Sequence, residues 1–191
     1  MKALLFLALV LGAAPAWAKN WTFRVLLDER EIGRHRFTLT ERGADRELVS
    51  EASFRVTILG FSAYRYRHQA TERWREGCLR SLVSSTDDNG APSSVDWRAE
   101  GGCVLSLAYW NPMILGAREL LNAQTGELEP VDIAALGEER IQVSGTAVPA
   151  QRYRITGRKL AIDLWYAEGQ EWIALETTAG GNRRLRYQRE P

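Results

Sequence analysis

Apolar side chains recur at every second position over most of this chain, and no other feature constrains its fold as much. Trp21, Phe23, Val25 and Leu27 alternate with Thr22, Arg24 and Leu26, and after a polar turn His35, Phe37 and Leu39 alternate with Arg34, Arg36, Thr38 and Thr40. A period of two puts successive side chains on opposite faces, so the pattern is that of antiparallel strands with one buried face. Gly43-Ala44-Asp45 turns the chain into a third strand, with Leu48, Ala52, Phe54, Val56 and Ile58 on one face. A fourth strand is expected from about Ser62 to Trp74, a fifth from Leu79 to Val83, a sixth around Val95–Arg98 and a seventh over Cys103–Tyr109.

The pattern then changes. Asn111-Pro112 has the form of a helix start, with Asn as N-cap and Pro at the first helical position. Met113, Ile114, Ala117, Leu120 and Leu121 follow at helical spacing, which predicts an amphipathic helix of about three turns over Asn111–Leu121. A short helical turn is expected from Asp132 to Leu136, with Gly137 as its stop. Strands resume over 140–144, 147–156, 160–166, 171–177 and 183–188. The expected fold class is mainly β. It is a strongly curved antiparallel sheet of about twelve strands, a half-barrel or open barrel, with one amphipathic helix packed on it.

The first residues read as an address. Met1-Lys2, an apolar run from Ala3 to Gly12 and the small-residue site Ala16-Trp17-Ala18 make a signal peptide over residues 1–18. Cleavage after Ala18 leaves residues 19–191 as a single β-rich domain in the periplasm. No later segment reaches the ~20 apolar residues of a membrane span. Export bears on Cys78 and Cys103, the two cysteines of the chain. In an oxidising compartment they are expected to pair, closing a loop of roughly 26 residues worth about 3.5 kcal/mol in the chain-entropy model. The chain carries 25 Lys+Arg against 24 Asp+Glu, a formal charge of +1, and so lacks the basic excess of a nucleic-acid binder.

Several stretches carry a resemblance. They are Trp21-x-Phe23-x-Val25-x-Leu27-Asp28, Ile32-Gly33-x-His35-x-Phe37 and Tyr64-x-Tyr66-x-His68-x-x-x-Glu72-x-Trp74-x-x-Gly77-Cys78-Leu79. Thr86-x-Asp88-Asn89-Gly90, Ile162-Asp163-Leu164-Trp165-Tyr166 and Trp172-x-x-Leu175-Glu176 add to them. Together they resemble an uncharacterised family of exported bacterial proteins over most of the mature chain. In strand pattern alone the chain is similar to the half-barrel lipoprotein carriers of the outer-membrane localisation pathway. The resemblance implies a periplasmic home, a curved sheet and, by analogy of fold, an apolar cavity; it brings no catalytic residues.

The candidate ligand-binding residues lie on the fourth strand. Regular alternation puts Tyr64, Tyr66, His68, Glu72 and Trp74 on one face and Arg65, Arg67, Gln69, Thr71 and Arg73 on the other. The first face joins aromatic bulk to a His and a carboxylate, suited to holding an apolar body by a polar head. No G-x-S-x-G elbow, P-loop or dinucleotide fingerprint occurs, and His35 and His68 stand in no metal-ligand spacing. Neither a cofactor nor a metal is expected. Asp87-Asp88-Asn89-Gly90 reads as a hairpin turn rather than a calcium loop. Three functions remain open. One is a periplasmic binding or carrier protein for a lipid-like ligand in the concave face of the sheet. Another is an enzyme, a hydrolase or isomerase, centred on His68 and Glu72. The third is an envelope interaction module without a small ligand.

Overall fold

The computed structural model describes residues 17–58, 61–158 and 160–190. The expected leader therefore lies outside the described residues, save for Trp17 and Ala18, which open the first strand. The strands are β1 (Trp17–Leu27), β2 (Arg30–Arg42), β3 (Asp45–Ile58), β4 (Phe61–Arg75), β5 (Cys78–Asp88) and β6 (Ala91–Arg98). They continue as β7 (Glu119–Leu121), β8 (Leu128–Val143), β9 (Thr146–Gly157), β10 (Ala161–Ala167), β11 (Glu171–Ala179) and β12 (Arg183–Arg189). They form one 12-stranded sheet in the order β6-β5-β4-β3-β2-β1-β12-β11-β10-β9-β8-β7. Every neighbour pair is antiparallel. The pairing of β1 with β12, Val25 opposite Tyr187 and Leu27 opposite Leu185, joins the two ends of the described chain at the middle of the sheet.

The alternation fills the concave side. Phe23, Leu48, Leu82, Ile155 and Leu164 are fully or almost fully buried there. Phe23 lies 4.2 Å from the Trp172 ring and meets Phe37 edge-on at 6.0 Å. Gly33 permits the tight approach of β2 to β3. It sits at φ +153, and a Cβ there would come within 1.9 Å of the Ser53 carbonyl oxygen.

The sheet curls without closing into a continuous ladder. Its outer strands β6 and β7 are joined by the segment 99–118, which crosses the concave side at one end. Leu79 N–H donates to the Val104 carbonyl at 2.8 Å; on the other side Leu121 N–H donates to Leu105 at 2.8 Å and its carbonyl accepts from Leu107 at 3.0 Å. The segment thus hydrogen-bonds to both flanks, and the Cys78–Cys103 disulfide pins its start.

Three expectations are corrected here. Asn111 does cap a turn, its Oδ1 accepting from Met113 N–H, but the turn is a short 3₁₀ helix, Pro112–Gly116 (η1), not a three-turn α-helix. Ala117 is already extended. The helical spacing of Ile114, Leu120 and Leu121 arises from two elements. Ile114 drops from η1 into the core, while Leu120 and Leu121 are both buried in β7 because the sheet covers one face and the crossing segment the other. Long-range backbone pairing outweighs a local helical pattern too short to stand alone. Residues 103–109, expected as a strand, make only isolated bridges, Leu79 to Val104 and Ser106 to Leu121. Residues 132–136, expected as a helical turn, run within β8, where Ile133 pairs with Ile155. Gly137, at φ +100, serves the bulge beside Ala135 rather than a helix stop. Among the described residues there is no α-helix, and the crossing segment takes the place expected of one.

Candidate functional site

A cavity of about 570 Å³ lies in the concave side. Its origin can be read from the register. Across β2–β3–β4–β5 one inward row is Phe37, Ser50, Ala70 and Ser84, and the next is His35, Ala52, His68 and Thr86. Small side chains at Ser50 and Ala70 leave space where neighbouring rows carry Leu and Trp. The crossing segment roofs one side with Leu107, Ala108, Tyr109 and Trp110. The β7–β8 turn forms the rim. Ser84 Oγ donates to the Ala123 carbonyl at 2.5 Å, Gln124 Nε2 donates to the Tyr66 hydroxyl, and Asn122 Nδ2 donates to Glu129 Oε1 at 2.7 Å. Exposed Gln124, Thr125 and Arg158 line the same rim.

Three of the five expected residues, Tyr66, His68 and Glu72, line this cavity. Trp74 does not. It points to the same side but lies deeper, 2% exposed, edge-on to Trp110 with ring centres 5.5 Å apart. Its role is support, since its Nε1 donates to Glu72 Oε2 at 2.9 Å. Tyr64 does not line it either. It is half-buried beyond the last β4–β5 pair, Tyr66–Asp88, with burial and a hydrogen bond to Asp88 both raising its pKa. The polar lining is completed by residues outside the expected set. His35 Nε2 shares a 2.7 Å hydrogen bond with Ser50 Oγ, and its Nδ1 lies 3.3 Å from the Tyr187 hydroxyl. Its ring stacks on Phe37 at 4.0 Å. Tyr109 is held in place where its carbonyl accepts from the Tyr166 hydroxyl at 2.7 Å.

The charged side chains of the lining are Glu72 within and Glu127, Glu129 and Arg158 on the β7–β8 and β9–β10 side, while the histidines and tyrosines are neutral. Burial, reinforced by nearby His68, pushes the His35 pKa down to about 3, so its imidazole is neutral at physiological pH. Burial also lowers His68, whose Nδ1 shares a 2.8 Å hydrogen bond with Thr86 Oγ1. The Tyr66 phenol is pushed up to about 12 by burial, and Tyr109 and Tyr187 are raised by the same cause. Glu72 is the buried carboxyl of the lining. Burial lifts it to about 7, against the donors Ser106 Oγ, at 3.1 Å, and Trp74 Nε1. Trp110, whose Nε1 is buried with no partner among the described residues, also lines the space. Among the described residues no cluster of three or more His, Cys, Asp or Glu side chains is placed to hold a metal, and no helix is long and apolar enough to cross a membrane.

His35 was legible as an inward residue of β2, since it alternates with Phe37. Tyr187 was not, because only the β1–β12 pairing carries it to His35. No local pattern announced Tyr109 either, as it sits on the crossing segment rather than on a regular strand.

The fold has a solved counterpart. A β-barrel-like protein of the domain of unknown function DUF1849 from Brucella abortus superposes with a TM-score of 0.63 over 93% of this chain and 96% of its own, at 9% identity. That likeness concerns the fold alone. No curated protein matches the chain in sequence. Residues 23–190 match the profile of a domain of unknown function, DUF6134, and the chain belongs to that family.

Proposed function

We propose that the protein is a periplasmic binding or carrier protein for an apolar or amphipathic, lipid-like molecule held in the concave side of its sheet. The observation that carries this reading is the cavity, whose about 570 Å³ lies in the size range of small-molecule sites. Its walls are largely aromatic and aliphatic, and of its polar groups His35, Ser50, His68 and the three tyrosines are neutral at pH 7, with Glu72 the buried carboxyl and Glu127, Glu129 and Arg158 the charged groups of the lining. Such a site favours an apolar body with an uncharged polar head inside, or a head group that stays at the rim near Arg158. The disulfide and the leader read from residues 1–18 support an oxidising compartment.

The enzymatic alternative rests on the raised pKa of Glu72, which suits a general acid. Two features count against it. His68 and Glu72 are four residues apart on one strand, about 13 Å, too far to act on one reacting atom. Both Glu72 oxygens are also engaged, by Trp74 and Ser106.

The carrier reading is tested by native mass spectrometry of protein purified from the periplasm and by displacement of an apolar fluorescent probe with a fatty acid. Tyr66→Ala and His68→Ala should each weaken probe binding about tenfold with the circular dichroism spectrum unchanged. Wild-type protein that takes up neither probe nor lipid refutes the reading.

A further inference from the structure

Strands β3 and β4 outrun their neighbours. The last β2–β3 pair is Gly33–Phe54 and the last β4–β5 pair is Tyr66–Asp88. Beyond them Arg55–Arg65, Val56–Tyr64, Thr57–Ser62 and Ile58–Phe61 pair only with each other, a two-stranded arm projecting from the sheet. The arm is tied at its root by Asn89, whose N–H donates to the Arg65 carbonyl at 2.7 Å. It stands at the rim end of the cavity, since Tyr66 at its root both lines the cavity and accepts from Gln124 of the rim.

The two faces of the arm differ in chemistry. One carries Val56 and Tyr64, half-buried, and leads to the stacked pair Phe54–Tyr66, ring centres 5.3 Å apart, at the cavity edge. At the outer end of the arm Phe61 is 79% exposed, the most exposed large hydrophobic residue among those described. The other face carries Arg55 directly opposite Arg65, with Arg67 two positions further. Like charges directly opposite across an antiparallel pair destabilise it. Asp87 pairs with Arg65 at 3.1 Å and stands opposite Arg67 in the β4–β5 register, while Arg55 has no ion pair among the described residues. Exposed Phe61 beside a face with three arginines and one carboxylate matches the boundary of an anionic bilayer, with acyl chains below a layer of phosphates.

We propose that this arm docks the protein on a membrane surface rich in anionic phospholipid. Phe61 enters the acyl boundary, Arg55 and Arg67 meet lipid phosphates, and the apolar face of the arm forms a ramp between bilayer and cavity. The proposal rests on the carrier reading for its purpose, but the docking surface stands on the arm itself.

The test is flotation of the full-length protein with phosphatidylglycerol/phosphatidylethanolamine vesicles and, separately, phosphatidylcholine vesicles. Wild-type protein should float with the anionic vesicles and be released by high salt. Phe61→Asp should lower partitioning at least tenfold. Arg55→Glu should lower it about fivefold or more on anionic vesicles and leave the weak binding to phosphatidylcholine unchanged. Both residues lie outside the cavity, so both variants should keep wild-type affinity for the apolar probe in solution. Vesicle binding without probe binding in the wild type supports the docking surface and sinks the carrier reading. Wild-type protein that ignores anionic vesicles overturns the proposal, as does Phe61→Asp protein that floats unchanged. A concentration-dependent dimer dissolved by Phe61→Asp, without vesicle binding, overturns it in favour of a second copy of the chain.

Discussion

Near the roofed end of the sheet the inward row across β2–β5 reads Leu39, Leu48, Glu72 and Leu82; two rows toward the rim it reads His35, Ala52, His68 and Thr86. Both rows obey the same alternation and lie on the same four strands. The first closes under Trp74, Trp110 and Ile114: Leu39 and Leu82 lie in the core, Leu48 and Glu72 form its border with the cavity, and the single carboxylate is held by two donors. The second opens on the cavity at His35 and His68 and satisfies its polar groups locally, His35 with Ser50 and His68 with Thr86. Alternation thus sets which face is inward, while side-chain volume and the path of the crossing segment decide whether that face becomes core or cavity.

The largest expected effect comes from breaking the packed end. Trp74 is almost fully buried, supports Trp110 and donates to Glu72. Trp74→Ala removes a large side chain from a closed core and leaves one buried carboxylate oxygen without its donor. A loss of about 3–5 kcal/mol is expected in urea denaturation. A loss below about 1 kcal/mol would mean that this end is as loosely filled as the other.

This contrast marks what the sequence makes legible. The inward face of β4 follows from period two, so Tyr66, His68 and Glu72 are found as cavity residues without any structure. Depth along that face does not follow, because Trp74 and Tyr66 obey the same rule and only the crossing segment separates their fates. The hairpins are legible from turns such as Asp87-Asp88-Asn89-Gly90 and Gly180-Gly181-Asn182, but β7 is not, and 103–109 reads as a strand in its stead. The order that brings β12 beside β1, and Tyr187 to His35, depends on contacts between distant parts of the chain and leaves no local trace. The helical spacing over Asn111–Leu121 misleads because a 3₁₀ turn and a strand buried on both faces can together imitate one amphipathic face.

An intermediate effect is expected at Glu72, and it depends on pH. Below about pH 4.5, the ordinary glutamic acid value, the carboxyl is protonated in both folded and unfolded chains and carries no penalty. Above that pH the unfolded chain ionises first, so its contribution to stability falls as pH rises through the window from 4.5 to about 7. His35 acts in the opposite sense. Its lowered pKa gives stability that is present above its ordinary value near 6.5 and lost as pH falls toward 3. Glu72→Gln removes only the first effect, since a glutamine oxygen can still accept from Trp74 and its amide can donate to Ser106. The variant should be more stable than the wild type at pH 8 by on the order of 2 kcal/mol, with the difference shrinking toward pH 4.5. A difference that does not vary with pH would show that the folded protein leaves the Glu72 carboxyl at its ordinary value.

The smallest effect on stability should come from the open end, and it sharpens the comparison most. Ala70 lies between Ser50 and Ser84 in the row that floors the cavity, and it lines the space. Adding volume to a close-packed core typically costs about 1–3 kcal/mol, because neighbours must leave their rotamers. At Ala70 a larger side chain can extend into space that no protein atom occupies, and it buries apolar surface as it does so. Ala70→Phe is therefore expected to change stability by less than about 1 kcal/mol while reducing apolar-probe affinity tenfold or more, since the ring takes the ligand's place. Thermal denaturation and probe titration on the same sample separate the two readouts. A variant that loses several kcal/mol would place Ala70 in closed core rather than beside a cavity. A variant that keeps both its stability and its probe affinity would move the binding site elsewhere on the sheet.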